Sequence, residues 1–222
     1  MTLLPHTDFQ AAFTQGHTFD SGYGPITVEV KEVAQIVLPS GEIVACDPSW
    51  LHVDGRPFSR KVAPGSYPIL VSLVGQADWA APELACAMIR FSDEPPLRWE
   101  NAILPDFELP PEEIFCHSVD SATDCYIDVQ TAQNIDDPEV FFNEKLAPLM
   151  EKLEWAEIVL DQGTGGNLIA FNTHVDGGYP CYWGLNAQDQ PVCLVTDFGL
   201  LLEATTVAEM LEAYGQQDQE RE

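Results

Sequence analysis

Positive charge is nearly missing from this sequence. Nine lysines and arginines stand against 36 aspartates and glutamates in 222 residues, a formal net charge of −27. Basic residues are absent from Trp99 to Glu144 and again from Leu153 to Glu220, stretches that hold 12 and 11 acidic residues. A folded chain of this mass exposes roughly 10,000 Å², so an interface patch of about 800 Å² carries about two net negative charges without any clustering. Such a surface repels phosphates, so direct nucleic-acid binding and attachment to anionic membranes are not expected. It attracts cations and basic proteins and speeds their encounter. The plainest use of the charge is solubility; holding a basic partner is the functional alternative.

Other absences narrow the field. There is no internal repeat, and no apolar run approaches the ~20 residues that a membrane helix needs. The first residues carry neither a basic n-region nor an apolar h-region, so no signal peptide is read there. The expected location is therefore cytoplasmic, with reduced thiols. The six cysteines, Cys46, Cys86, Cys116, Cys125, Cys181 and Cys193, form no C-x-x-C pair and no compact zinc spacing with histidine. Most are expected to be small buried hydrophobes. No G-x-S-x-G elbow occurs. Gly163-Thr-Gly-Gly166 is too short for a nucleotide loop, and no cofactor is expected.

What is present is 45% hydrophobic residues and 10% aromatics, enough for a core without staples. The expected class is α+β, mainly antiparallel sheet with one or two packed helices, in one domain over 1–222. Residues 1–25 form a lead-in, with a helical turn near Asp8–Thr14. A sheet-rich core covers 26–202 with a helix near 138–154, and a C-terminal helix and frayed tail cover 203–222. Ile26 to Leu38 alternates with period two and reads as a half-buried strand. After the Pro39-Ser-Gly41 turn, Glu42 to Cys46 reads as its hairpin partner. Further strands are expected at Tyr67–Val74, Leu84–Phe91, Leu97–Ile103, Asn167–Phe171, Pro180–Leu185 and Val192–Val195. Asp137-Pro138 starts a helix, with Asp as N-cap and Pro at the first helical position. Pro148 should kink or split it. Thr206-x-x-Glu209 is a capping box for a last helix.

Two segments are rich enough in polar groups to carry chemistry. In the first, Ser118 to Asp128, the side chains of Asp120, Thr123, Asp124 and Asp128 are crowded into nine residues. Carboxylates so close repel one another unless they bind a cation, pair with a base or face water. The spacing is not a calcium loop, and a capped turn entering a strand at Cys125 is the bland alternative. In the second, His174 to Gly184, a tight Asp176-Gly177-Gly178 loop precedes Tyr179, Tyr182 and Trp183. Aromatics beside a glycine-rich loop can line a pocket; cross-strand packing is the bland alternative. His174 with Asp176 is a generic acid–base pair. Cys181 has no basic neighbour in sequence, and His52 and His117 stand alone.

Several of these motifs resemble a bacterial domain-of-unknown-function family, number 4241. They are Leu38-Pro-Ser-Gly-Glu-Ile-Val-Ala-Cys-Asp-Pro48, Ala63-Pro-Gly-Ser-Tyr-Pro68, Ile89-Arg-Phe-Ser-Asp-Glu-Pro95, Arg98-Trp-Glu100, and Tyr179-Pro-Cys-Tyr-Trp-Gly184 through Leu194-Val-Thr-Asp-Phe198. The resemblance runs from about residue 36 to 202. It implies no activity, but it marks positions. Val119, Asp120, Thr123 and Asp128 match its first polar segment, while Ala122 and Asp124 stand where it carries glycines. In the second segment, Val175 replaces a glycine and Asp176 and Gly177 are kept.

Three functional expectations follow. The favoured one is a non-catalytic acidic binding protein, for instance an immunity-type protein that neutralises a basic toxin. The alternative is a small-ligand or cation-binding enzyme in which Asp120, Asp128 and Asp176 converge on a pocket walled by Tyr179, Tyr182 and Trp183, with Thr123 and His174 beside it. The third is mimicry of nucleic acid by the acidic stretches.

Overall fold

The computed structural model describes residues 7–21, 24–76, 79, 81–110 and 113–201. The expected capping box at Thr206–Glu209 lies outside these residues. A short helix α1 (Phe9–Ala12) is capped by Asp8, whose carboxylate accepts from the Ala11 N–H. The strands that follow are β1 (Thr18–Ser21), β2 (Gly24–Leu38) and β3 (Ile43–Cys46). A 3₁₀ turn (Pro48–Trp50) leads into α2 (Leu51–Asp54), then β4 (Gly65–Gly75), β5 (Glu83–Arg90), β6 (Arg98–Asn101), β7 (Cys116–Val119) and β8 (Thr123–Asp128). Three short helices come next: α3 (Val129–Ala132), α4 (Pro138–Phe141) and α5 (Ala147–Met150). The chain then returns to sheet as β9 (Trp155–Val159), β10 (Asn167–Asn172), β11 (Gly177–Leu185) and β12 (Pro191–Asp197). The α+β class with mainly antiparallel sheet is the one expected.

The strands form two sheets. The larger has the order β1-β2-β4-β5-β12-β11-β6, with β7 also paired to β11; the smaller has the order β3-β8-β10-β9. Period-two alternation divides each strand between two cores. Tyr126 of β8, Ile169 and Phe171 of β10, and Cys181, Trp183 and Leu185 of β11 meet in the cluster between the sheets. On the far side of the larger sheet, Phe9 and Ala12 of α1 pack with Ile26, Val28, Tyr182 and Val195. On the far side of the smaller sheet, Phe141, Leu146 and Met150 pack on Val44, Cys125, Ile127 and Leu168.

One strand serves two cores. Ile26 and Val28 of β2 face the α1 side, whereas Ile36 and Leu38 face the other sheet. All four are even-numbered, so a regular strand would place them on one face. The register slips by one between Glu32 and Ala34, and that extra residue turns the second half of the strand over.

The expected hairpin of β2 with β3 does not form. β2 pairs with β1 and β4, while β3 pairs with β8 in the smaller sheet. Asp128 holds the turn between β2 and β3. Its carboxylate accepts from Ser40 N (3.0 Å), Ser40 Oγ (2.9 Å), Gly41 N (3.1 Å) and Gln130 N (2.8 Å). Gly41 sits at φ 72°, and a Cβ there would lie 2.1 Å from the Val62 carbonyl oxygen. The turn therefore needs a glycine and leads the chain away from its expected partner.

The helix expected from Asp137 is present and broken. Asp137 caps α4 by accepting from Val140 N. A π-helical segment, Phe142–Leu146, separates α4 from α5. Pro148 has no N–H to give to the Glu144 carbonyl, so the ladder widens ahead of it, and Ala147 N bonds Phe142 O. No helix among the described residues is long and apolar enough to cross a membrane.

Candidate functional site

The residues singled out from the sequence do not converge. Asp128 is fully buried, at the opposite end of β8 from the Asp120–Ala122 turn. Six residues of strand separate them, about 20 Å. Asp120 and Asp176 are exposed beside that turn, where Asp176 Oδ1 accepts from Ala122 N at 3.0 Å. Thr123 is buried, and its hydroxyl donates to the Ser121 carbonyl. His174 does not pair with Asp176: its Nε2 lies 2.9 Å from Glu154 Oε2. Tyr179 and Trp183 point between the sheets, but Tyr182, of opposite parity on β11, points to the α1 side, with its ring 5.4 Å from that of Phe9. One pocket walled by all three aromatics is therefore ruled out by the pleat.

The carboxylates instead organise turns. Besides Asp128, the buried Asp47 accepts from Ser49 N and Oγ with Oδ1, and from Asp120 N and Ser121 N with Oδ2. A buried carboxylate is tolerated when its lone pairs are filled in this way. Among the described residues, no group of three or more His, Cys, Asp and Glu side chains is placed to hold a metal ion.

A different set comes together where the chain passes from β7 in the larger sheet to β8 in the smaller. His117 Nε2 lies 2.9 Å from Asp124 Oδ1, and His117 Nδ1 lies 3.8 Å from Cys181 Sγ. Cys181 Sγ lies 3.0 Å from Thr196 Oγ1, which is 2.6 Å from the Tyr126 hydroxyl, and that hydroxyl reaches the Ala87 carbonyl at 3.1 Å. All five side chains are buried.

Tyr126 reaches the Ala87 carbonyl, and Thr196 Oγ1 joins the Tyr126 hydroxyl to Cys181. His117 Nε2 faces the Asp124 carboxylate and Nδ1 faces the Cys181 sulfur, so a protonated ring donates to both. Burial alone disfavours the imidazolium, but the charge of Asp124 and the hydrogen bonds to Asp124 and Cys181 outweigh it and hold the His117 pKa well above its ordinary value. Cys181 sits inside this buried chain of contacts, shut off from solvent.

The signals for this set were in the sequence but unconnected. His117 and Cys181 stand 64 residues apart, and no local spacing links them.

A cavity of about 290 Å³ lies beside His117, between β7 and α2, with Val53, Arg56, Leu104, Phe115 and Cys116 in its walls. The profile of a family described as a protein of unknown function, DUF4241, matches residues 36–196. The chain belongs to this family. No curated protein and no solved structure matches it. The DUF4241 match runs from the second half of β2 to the end of β12 and so includes every member of the His117 chain. In this DUF4241 chain, Ala122 adopts the left-handed φ of 50°, and Asp124 supplies the carboxylate partner of His117.

Proposed function

We propose that the protein is a non-catalytic binding protein whose helical layer holds a basic partner, as an immunity-type protein holds a cationic toxin. The observation that carries this reading is where the neutralising cations sit. Lys31, Arg60, Lys61, Arg90 and Arg98 pair with Glu29, Glu100, Glu42, Asp93 and Asp189, all on β2, the strands and loops of the larger sheet, or the turn into β3. The helical layer, from 133 to 154, carries Asp136, Asp137, Glu139, Glu144, Glu151 and Glu154, with Lys145 and Lys152 among them. Among the described residues none of these six carboxylates is in an ion pair with Lys or Arg; Glu154 bonds His174.

Apolar side chains accompany the charge. Val140, Leu149 and Leu153 are between 38% and 47% exposed on the same layer. A patch that mixes unneutralised carboxylates with half-exposed apolar groups offers a basic protein both steering and burial. The turn-binding roles of Asp47 and Asp128 further support a scaffold rather than a convergent catalytic centre.

The test is retention of purified basic proteins by the immobilised chain at low and high salt. Retention at low salt is expected, to be abolished by reversing Glu139, Glu144 and Glu151 to Lys and kept after reversing Asp20, Glu83 and Glu113. Equal loss in both triple variants would show that net charge alone acts, and the reading would fail.

A further inference from the structure

The break in the helix after α4 opens a second cavity. The π-helical Phe142–Leu146 segment packs near the Pro48–Trp50 turn, and a cavity of about 380 Å³ between them is lined by Ser49, Trp50, His52, Glu139, Phe142 and Asn143. π-helical turns widen a helix locally and often mark sites.

The lining is of two kinds. Trp50 is 43% exposed, an unusual state for so large an apolar ring, and it stacks on His52 with centroids 6.1 Å apart and an interplanar angle of 18°. Phe142 adds a second aromatic wall. The polar groups include several acceptors. Glu139 is exposed and outside any ion pair among the described residues. The Ser49 hydroxyl spends its proton on Asp47 Oδ1, at 2.6 Å, so it offers only lone pairs to the cavity. Asn143 brings an amide, whose oxygen can accept. No lysine or arginine lines the space.

An aromatic face, a carboxylate and further acceptors fit a planar cation that donates several hydrogen bonds. We propose that this cavity receives an arginine side chain of the basic partner, its guanidinium against Trp50 and its N–H groups on Glu139. The proposal rests on the reading above and sharpens it, because it turns a charged layer into one with a defined anchor. Tryptophan and arginine are both enriched among interface hot spots.

The experiment titrates a hexa-arginine peptide and a hexalysine peptide into the protein by calorimetry. Hexa-arginine is expected to bind at least ~5-fold more tightly than hexalysine. Trp50→Ala and Glu139→Gln are each expected to weaken hexa-arginine by about 10-fold, while Trp50→Phe, which keeps an aromatic face, stays within ~3-fold. Glu144→Gln and Glu151→Gln, on the same layer outside the cavity, are expected to change it by less than ~2-fold each. Circular dichroism confirms that each variant is folded. If hexa-arginine binds but Trp50→Ala and Glu139→Gln act no more strongly than Glu144→Gln, the cavity is not the anchor and the acidic layer stands. If neither peptide binds at low salt, both proposals fall.

Discussion

His117 and Asp124 lie 2.9 Å apart, and their bond joins two sheets that share no backbone ladder at that point: β7 pairs with β11, and β8 with β3 and β10. The link sits at the crossing between the sheets, next to the Asp120–Ala122 turn. Its environment is low in water, so the pair is costly to break from one side only.

The stability of the protein should therefore depend on the charge of His117. Its pKa is raised well above the ordinary value by Asp124 and Cys181 against the opposing effect of burial. A raised pKa means that the folded state binds the proton more tightly than the unfolded chain. The stabilisation is complete below about pH 6.5 and is lost as the pH rises through the folded value. Urea melts against pH are expected to show this alkaline decline. Asp124→Asn should remove the decline and cost about 3 kcal/mol at neutral pH, since it leaves one half of a buried pair. In a double-mutant cycle with His117→Leu, the coupling should be about 1–3 kcal/mol. A pH-independent melt in the native sequence would overturn the imidazolium assignment.

The Asp128 turn is expected to be a weak point on mutation. Asp128→Ala strands the N–H groups of Ser40, Gly41 and Gln130. At about 1–3 kcal/mol for each buried donor left unpaired, the loss should be at least ~3 kcal/mol. Gly41→Ala should be as damaging, because its Cβ meets the Val62 carbonyl and its φ is positive. Chemical denaturation measures both.

Ala122 offers the opposite case. It holds φ 50° without being glycine. The left-handed conformation costs roughly 1–2 kcal/mol for an L-residue, and glycine returns about 0.5–1 kcal/mol of that through its greater freedom when unfolded. Ala122→Gly is expected to raise stability by about 0.5–1 kcal/mol. A loss of stability on thermal unfolding would show that the alanine methyl group packs usefully.

Thiol chemistry should single out one residue. All six cysteines are unpaired, and Cys116 alone among them is exposed. Partial burial pushes its thiol pKa up, with the charge of His117 opposing and those of Cys181 and Asp197 adding. A native sample should react slowly with one equivalent of a thiol reagent, faster as the pH passes the usual thiol range of about 8.5. In denaturant all six should react, and Cys116→Ser should abolish the native reaction. Fast labelling of a second thiol would mean that the buried chain through Cys181 opens.

Much of the fold could be read from local pattern. The alternation of Ile26 to Leu38, the capped start at Asp137-Pro138 and the break before Pro148 are properties of neighbouring residues. The structure keeps all three. The short strands β1, β7 and β9 were not among those expected. β7 gains its ladder from the distant β11, whereas β9 pairs with the next strand, β10. The polar segments were visible as well, but their roles were not. Asp128 and Asp176 carry no mark showing that backbone N–H groups will fill their lone pairs.

The sequence by itself settled the excess of carboxylates, the strand-rich α+β class, the caps and breakers, and membership suggested by ordered motifs. Tertiary structure alone decided that β3 leaves β2 for the other sheet, that Tyr182 turns away from Tyr179 and Trp183, and that His117, Asp124, Cys181, Thr196 and Tyr126 join in one chain. The reason is physical. Periodicity tells which face of a strand is buried, because that depends on residues two apart. It does not tell which strand lies opposite, because that depends on the packing of the whole, and hydrogen bonds between residues 64 or 70 positions apart exist only once that packing is complete.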